Sequence, residues 1–292
     1  MSAGGRQFER VLIIPNVGKA DIVGMVERAA RWMQGHGAQC FLTVQDSARL
    51  NMDIPPARAD EVELALVLGG DGTMLHAVEL LGDNDVPIAG INIGKMGFLT
   101  TAEVHQAEDA MARIFTGHYW ISERLTVACD LAGSTYRALN EIVIGKITRE
   151  RLIHLSTYIN GDFFMRYSGD GLIFASATGS TAYSLSSSGP IVTPGLECFL
   201  LTPICAHMLF SRPMVLDASD RVRVAVGEAP ELLALSIDGR EDVEVPPGSS
   251  IDFYAHPRPV RIIELNDSSF YRTLREKFLI PPLGEECKEL EE

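Results

Sequence analysis

The stretch Leu64–Leu81, LALVLGGDGTMLHAVELL, sets one carboxylate, Asp71, among glycines where an apolar run gives way to a helical pattern. In open α/β sheets, ligands bind at the carboxyl ends of the strands. Gly69, Gly70 and Gly72 can take positive φ and remove side-chain bulk, so that backbone N–H groups can approach a phosphate closely. A helix starting near Thr73 would aim its free N–H groups at the same point. A site that only bound anions would be weakened by an acid. The carboxylate makes sense if it takes a proton from an attacking hydroxyl or holds Mg²⁺. The plain alternative is an Asp-Gly turn between strand and helix. The stretch is not a GxxxxGK[ST] phosphate loop, and it lacks GxGxxG spacing.

Two later stretches carry further chemistry. ALNEIVIGK places Asn140 and Glu141 side by side inside a strand-like run, where an amide and an acid are out of character. YSGDGLIFASATGSTAYSLSSSGPIVTP holds a second Gly-Asp-Gly, around Asp170, and then hydroxyls at Ser176, Thr178, Ser180, Thr181, Tyr183, Ser184 and Ser186. That density does not suit an ordinary core and does suit a polyhydroxylated ligand. A serine-rich surface loop is the alternative.

The elements that must position these residues come in two styles. VLIIP reads as a short buried strand, and Asp21 to Met33 has helical spacing that stops at Gly35-His36-Gly37. CFLTV is a second strand, NMDIPPARADEV a loop, LALVL a third strand and VPIAGINI a fourth. Met74, Leu75, Val78 and Leu81 give the intervening helix its buried face, and Gly82 ends it. This alternation implies a Rossmann-like, mainly parallel sheet with helices on both faces. Near Tyr119 the character changes to short strand-like runs. LTVACDL and YRALNEIVIG flank one turn, and IHLSTYI and FFMRY flank Asn160-Gly161-Asp162, a type I′ hairpin signal. RVRVAV, LLALSI, VEVP and PVRIIEL follow, before a helical tail over Phe270–Leu279 and an acidic end, EECKELEE. The expected fold class is therefore α/β followed by an all-β, β-sandwich-like domain. Residues 1–119 form the first domain, joined by residues 264–292, and residues 120–263 form the second.

Bulk properties bound the function. At 292 residues, two domains are expected. The net charge of −14 argues against a nucleic-acid surface, yet a few local cations and amides suffice for one anionic ligand. Five cysteines, odd in number and without a CxxC pair, point to reduced thiols in a cytoplasm. No apolar run has the length of a signal or spanning segment, so a soluble protein without a membrane partner is expected.

GGDGT, then NE, then GDG…TGSTAYSLS…GP…TP resemble, in order and spacing, the signature of bacterial NAD kinases, the ATP-NAD kinase family. GINIGKMGFLT, PICAHMLFSRPMV, LSIDGR and FYRTLREKF add to the resemblance, which runs from about Val11 to Phe278. GGDG alone is shared with diacylglycerol-type lipid kinases and phosphofructokinases, whereas TGSTAY with NE is specific. The resemblance implies a two-domain enzyme that phosphorylates the 2′-hydroxyl of the adenosine ribose of NAD, with NAD in a cleft between the domains. ATP would be the donor and Mg²⁺ its companion, with no metal held by the protein alone. Asp71 matches the proton acceptor and Gly72 a backbone contact to NAD. Asn140 and Glu141 match the pair that reads the adenine side and ribose, and Asp170 an acid near the nicotinamide half. Thr181, Ala182, Tyr183, Ser184, Leu185 and Ser186 match the NAD-binding segment, Tyr183 offering a stacking surface for a base. His76 and Arg151 sit where members carry basic or polar NAD contacts. Read from the residues alone, His76 is a surface side chain and Arg151 a solvated charge. Ser168 stands where some members have a basic residue, which leaves NAD against NADH open. Arg240 stands where a glutamine is common, and Ala177 where many members have proline. His207 and Arg212 match a pattern whose role does not follow from the residues. Family members are homodimers or homotetramers. A lipid kinase of the same superfamily and a non-catalytic NAD sensor are the alternatives. The charge disfavours the first, and an intact Asp71 the second.

Overall fold

A computed structural model describes residues 8–94, 97–147, 152–208, 211–227, 232–265 and 270–278. The chain divides into two compact units, residues 1–121 with 262–292, and residues 122–261.

The first unit opens with β1 (Arg10–Pro15), α1 (Ile22–Gly35), β2 (Gln39–Phe41) and α2 (Val44–Leu50). The stretch CFLTV is thus a strand only in part. Thr43 accepts a hydrogen bond from the Asp46 N–H (3.0 Å) and caps a helix, which turns the expected strand end into α2. Then come β3 (Leu64–Gly69), α3 (Asp71–Leu81), β4 (Ile88–Asn92), β5 (Ala102–Glu103), α4 (Ala107–Phe115) and β6 (Trp120–Arg124). Strands β2, β1, β3 and β4 pair in parallel in that order. Both faces of β1 and β3 are buried, as parallel strands require. Val11, Ile13, Leu64, Leu66 and Leu68 share one core with residues of α1 and α4. Strand alternation turns Leu12, Ile14, Ala65 and Val67 the other way. On α3, Thr73, Met74, Ala77, Val78 and Leu81 are buried while Leu75 is only half-buried.

The second unit is a sandwich of two six-stranded antiparallel sheets. Its strands are β7 (Val127–Leu131), β8 (Ser134–Ala138), β9 (Glu141–Lys146), β10 (Ile153–Ile159), β11 (Asp162–Gly169) and β12 (Gly171–Ser176). After a short helix, α5 (Tyr183–Ser186), follow β13 (Cys198–Ile204), β14 (Met214–Asp217), β15 (Arg221–Val226), β16 (Leu233–Ile237), β17 (Glu241–Val245) and β18 (Ser250–Ala255). One sheet runs β11-β10-β15-β18-β7-β8 and the other β14-β13-β12-β9-β16-β17. Phe174 and Phe253, one from each sheet, stack at 3.7 Å and 9° in the shared core. Both hairpin turns carry left-handed residues, Ala132 and Gly133 in one and, as the type I′ signal predicts, Asn160 and Gly161 in the other. YRALNEIVIG is not one strand. It breaks at Leu139-Asn140, where the chain leaves the first sheet for the second.

PVRIIEL does not extend the sandwich. It is β19 (Val260–Glu264), which pairs in parallel with β4 and sits between β4 and β6 in the first unit's sheet. Helix α6 (Phe270–Lys277) follows. Among the described residues no helix is long and apolar enough to cross a membrane. Cys40, Cys129 and Cys198 are buried free thiols, and burial pushes Cys40 up to about 11 and Cys129 up to about 12, far from thiolate chemistry.

Candidate functional site

Asp71 is the first residue of α3, and β3 reaches it through Gly70 at the carboxyl edge of the parallel sheet. Its two oxygens are gripped separately. Oδ2 accepts from the Phe98 N–H and Oδ1 from the Leu99 N–H, both at 3.0 Å. Lys277 of α6 brings its ammonium to 3.4 Å from Oδ2 and 4.4 Å from the Phe98 ring centroid. A Cβ on Gly97 would fall 1.9 Å from Oδ1, so this glycine gives the carboxylate its room. Gly69, Gly70 and Gly72 do not have positive φ. Gly69 is needed because a Cβ there would meet Thr73 Oγ1 at 2.2 Å, whereas one on Gly72 would point into open space. His76, one turn on, is partly exposed and 3.4 Å from Glu79 Oε2.

In the second unit, Asn140 and Glu141 stand at the corner between β8 and β9. Asp238, in the turn between β16 and β17, accepts the N–H groups of Leu139 (2.9 Å), Asn140 (2.8 Å) and Glu141 (3.1 Å). Ser176 closes the other side of the corner. Its N–H donates to the Asn140 carbonyl (2.8 Å) and its hydroxyl to the Leu139 carbonyl (2.5 Å). A Cβ on Gly179 would lie 2.1 Å from the Asn140 oxygen. Glu141 is buried, and its Oε2 has no hydrogen-bond partner. Burial first and the nearby Asp238 charge second push its carboxyl up to about 7, against a pull from the Tyr183 N–H. Burial likewise raises Asp238, opposed by its three N–H donors and by Arg240.

The hydroxyl run divides into two sets. Ser176, Ser180 and Ser184 are fully buried and hold the protein together. Ser180 Oγ bridges the Val192 carbonyl and N–H (3.1 and 3.0 Å), and Ser184 Oγ lies 2.9 Å from Thr202 Oγ1. The density of hydroxyls, expected to signal a ligand face or a surface loop, is at Ser176, Ser180 and Ser184 a polar core with each hydroxyl satisfied. Thr181, Ala182 and Leu185 are half-buried, and Tyr183 and Ser186 are exposed. The Glu141–Tyr183 approach brings the corner and this segment together. Thr178 Oγ1 is buried beneath them without a partner.

Asp170 is paired with Lys146 Nζ at 2.5 Å, a cation 16% exposed. Ser168 shares a hydrogen bond with its cross-strand neighbour His154, Oγ to Nδ1 at 2.8 Å. Arg240 is exposed. Arg151 lies outside the described residues. Sequence reasoning passed over Gly97, the Phe98 and Leu99 amides, Lys146, Asp238 and Lys277. Backbone amides carry no residue signal, and the others act across 24 to 206 positions of sequence. Asp238-Gly239, an Asp-Gly turn inside LSIDGR, was the one available cue.

The model of the ATP-NAD kinase N-terminal domain matches residues 11–119, and that of the ATP-NAD kinase C-terminal domain matches residues 139–265. The chain is 35% identical to the NAD kinase of Moorella thermoacetica over 277 residues, which cover 92% of this chain and 89% of that one. It is 36% identical to the NAD kinase of Symbiobacterium thermophilum over 274 residues, 91% of this chain and 97% of that one. Two solved structures have a similar fold. Yeast NADH kinase complexed with NADH gives a TM-score of 0.86 at 22% identity, covering 97% of this chain and 91% of that one. An NAD kinase from Archaeoglobus fulgidus in complex with ATP gives 0.75 at 24% identity, covering 94% and 100%.

Proposed function

The chain belongs to the ATP-NAD kinase family and is an enzyme that phosphorylates NAD; on that premise we propose that it moves the terminal phosphoryl group of ATP to the 2′-hydroxyl of the adenosine ribose, giving NADP and ADP. The bond from the 2′-oxygen to phosphorus forms as the bond from phosphorus to the bridging oxygen of ADP breaks. The hydroxyl proton passes to Asp71. One observation carries this role: the Asp71 carboxylate is fixed by two backbone N–H groups at the carboxyl edge of the sheet, where ligands of such folds bind. A fixed acceptor is the requirement for general-base help, worth roughly 10²–10⁴-fold. The amino-terminal end of α3, which no side chain caps, would face the phosphates beside Gly72.

In the second unit, Asn140 and Glu141 read the adenosine, and the bare Glu141 Oε2 suits a ribose hydroxyl. Thr181, Ala182, Tyr183, Leu185 and Ser186 supply surface for the nucleotide. Ser184, its hydroxyl engaged by Thr202, would contribute through its backbone. Asp170 with Lys146 and Ser168 with His154 would flank the nicotinamide half. His76, Arg151 and Arg240 stay in this reading as further NAD contacts. Among the described residues no group of three or more His, Cys, Asp or Glu side chains could hold a metal. In this reading Mg²⁺ arrives with the triphosphate and would neutralise charge on the transferring group. The same reading makes the enzyme a cytoplasmic homodimer or homotetramer, which sedimentation velocity tests for the assembly.

The decisive experiment is NADP formation from ATP, Mg²⁺ and NAD, read through an NADP-specific dehydrogenase, with Asp71→Asn alongside and circular dichroism as the folding check. A folded variant is expected to lose at least about 10²-fold. Full activity in that variant would remove the base role, and no NADP from folded parent would remove the reaction.

A further inference from the structure

Three successive N–H groups, those of Leu139, Asn140 and Glu141, converge on one carboxylate at 2.8–3.1 Å. We infer that Asp238 is a positioning residue for nucleotide recognition, holding the Asn140-Glu141 corner so that both side chains face the ligand. This rests on the reading that these two side chains meet NAD.

The corner leaves the β8 ladder before joining β9, so its N–H groups need partners from elsewhere. A carboxylate, with two oxygens and no hydrogen, suits three N–H groups at once: here Oδ1 accepts two and Oδ2 one. Asp238 reaches them by taking the left-handed conformation, φ 49°, with Gly239 after it at φ 67°. A non-glycine residue held there is strained, and the hydrogen bonds that it makes must offset that strain. Its own N–H donates to the Glu141 carbonyl at 3.0 Å, closing the contact in both directions. Ser176 holds the carbonyl side and Gly179 leaves no space for slippage. The corner is thus fixed through its backbone, and neither the Asn140 nor the Glu141 side chain is needed to hold it.

Asp238 also adds to what burial does to the charge at Glu141. The groups that face the Glu141 carboxyl are the Asp238 carboxylate and the Tyr183 N–H, with Arg240 acting on Asp238 from the turn. Near neutrality the Glu141 carboxyl then holds its proton part of the time, so it can donate to a ligand oxygen as well as accept. Removing the Asp238 charge should lower that proton affinity.

The test is steady-state kinetics of the full chain over pH 5.5–8.5 for parent, Glu141→Gln, Asp238→Asn and Asp238→Ser. Asp238→Asn is expected to raise KM for NAD roughly 10- to 100-fold, as a loosened corner misplaces its side chains. KM for ATP and kcat should change far less. The limb near pH 7 in kcat/KM for NAD should move to lower pH in Asp238→Asn and vanish in Glu141→Gln. A folded Asp238→Asn with parental KM for NAD and an unmoved limb overturns the inference, as does an equal loss in every constant. Failure of both Asp238 variants to fold also overturns it, making Asp238 structural. If instead Glu141→Gln leaves KM for NAD at the parental value, the nucleotide reading of the corner fails, whatever Asp238 does.

Discussion

Asp71 and Glu141 are both acids placed at a break in regular structure, and the protein treats them in opposite ways. Asp71, about one third exposed, has two N–H donors and a cation on its oxygens. Glu141, buried, has a bare oxygen and a second acid beside it. A donor set that matches the ionised form fixes a carboxylate in place, which suits a group that must meet one proton at one point. An unsatisfied buried carboxyl is costly until something completes it, which suits a socket for a ligand hydroxyl. The contrast lies in the surroundings, since the two side chains are chemically alike.

The contrast breaks most sharply at Gly97. Gly97→Ala puts a methyl group where Asp71 Oδ1 now lies and should free the carboxylate from its amides. NADP formation should fall by about 10²-fold with little change in Tm. A variant with full activity would show that the amide grip is dispensable. Glu141→Gln sharpens the other side. Glu141 is raised from 4.5 to about 7 in the folded chain. Between these values the folded state keeps a proton that the unfolded chain has lost, so stability falls as pH rises through the window. The penalty is complete above about pH 7 and absent below about pH 4.5. Glu141→Gln should therefore stabilise the protein by about 3 kcal/mol at pH 8 and by little near pH 5. Urea unfolding at both pH values checks this, and an equal gain at each would refute it. Lys277→Gln has the smallest expected effect. Its ion pair with Asp71 is partly exposed and screened. Turnover should drop only a few-fold, and added salt should shrink the difference from parent.

The two acids also differ in how far sequence alone reveals them. Asp71 announces itself because strand, glycines and helix are contiguous, so local pattern and site coincide. The parallel sheet and the two hairpins were legible for the same reason: Val11–Pro15, Leu64–Leu68 and Asn160-Gly161 are local signals. The corner at Leu139-Asn140 was not, because its apolar neighbours read as one strand and the break is set by Asp238, 97 to 99 positions away. Thr43 was a missed local cue, since Thr-Val-Gln-Asp is a capping pattern that should have shortened the second strand. The serines misled for a physical reason. Hydroxyls at Ser176, Ser180 and Ser184 recur every four residues, and burial with mutual satisfaction looks the same in sequence as a ligand face.

Strand β19 completes a sheet begun with the first strand of the chain, and Lys277 reaches a carboxylate 206 residues earlier. On a ribosome the chain grows from its amino end at roughly 5–20 residues per second. Asp71 therefore emerges on the order of ten seconds or more before its lysine does. During that interval β4 has an open edge where β19 will pair, the kind of edge that invites wrong partners. The sandwich, encoded in the middle, has all its strands before the sheet that began first. Asp71 and its surroundings are in this sense among the first parts made and among the last to be finished.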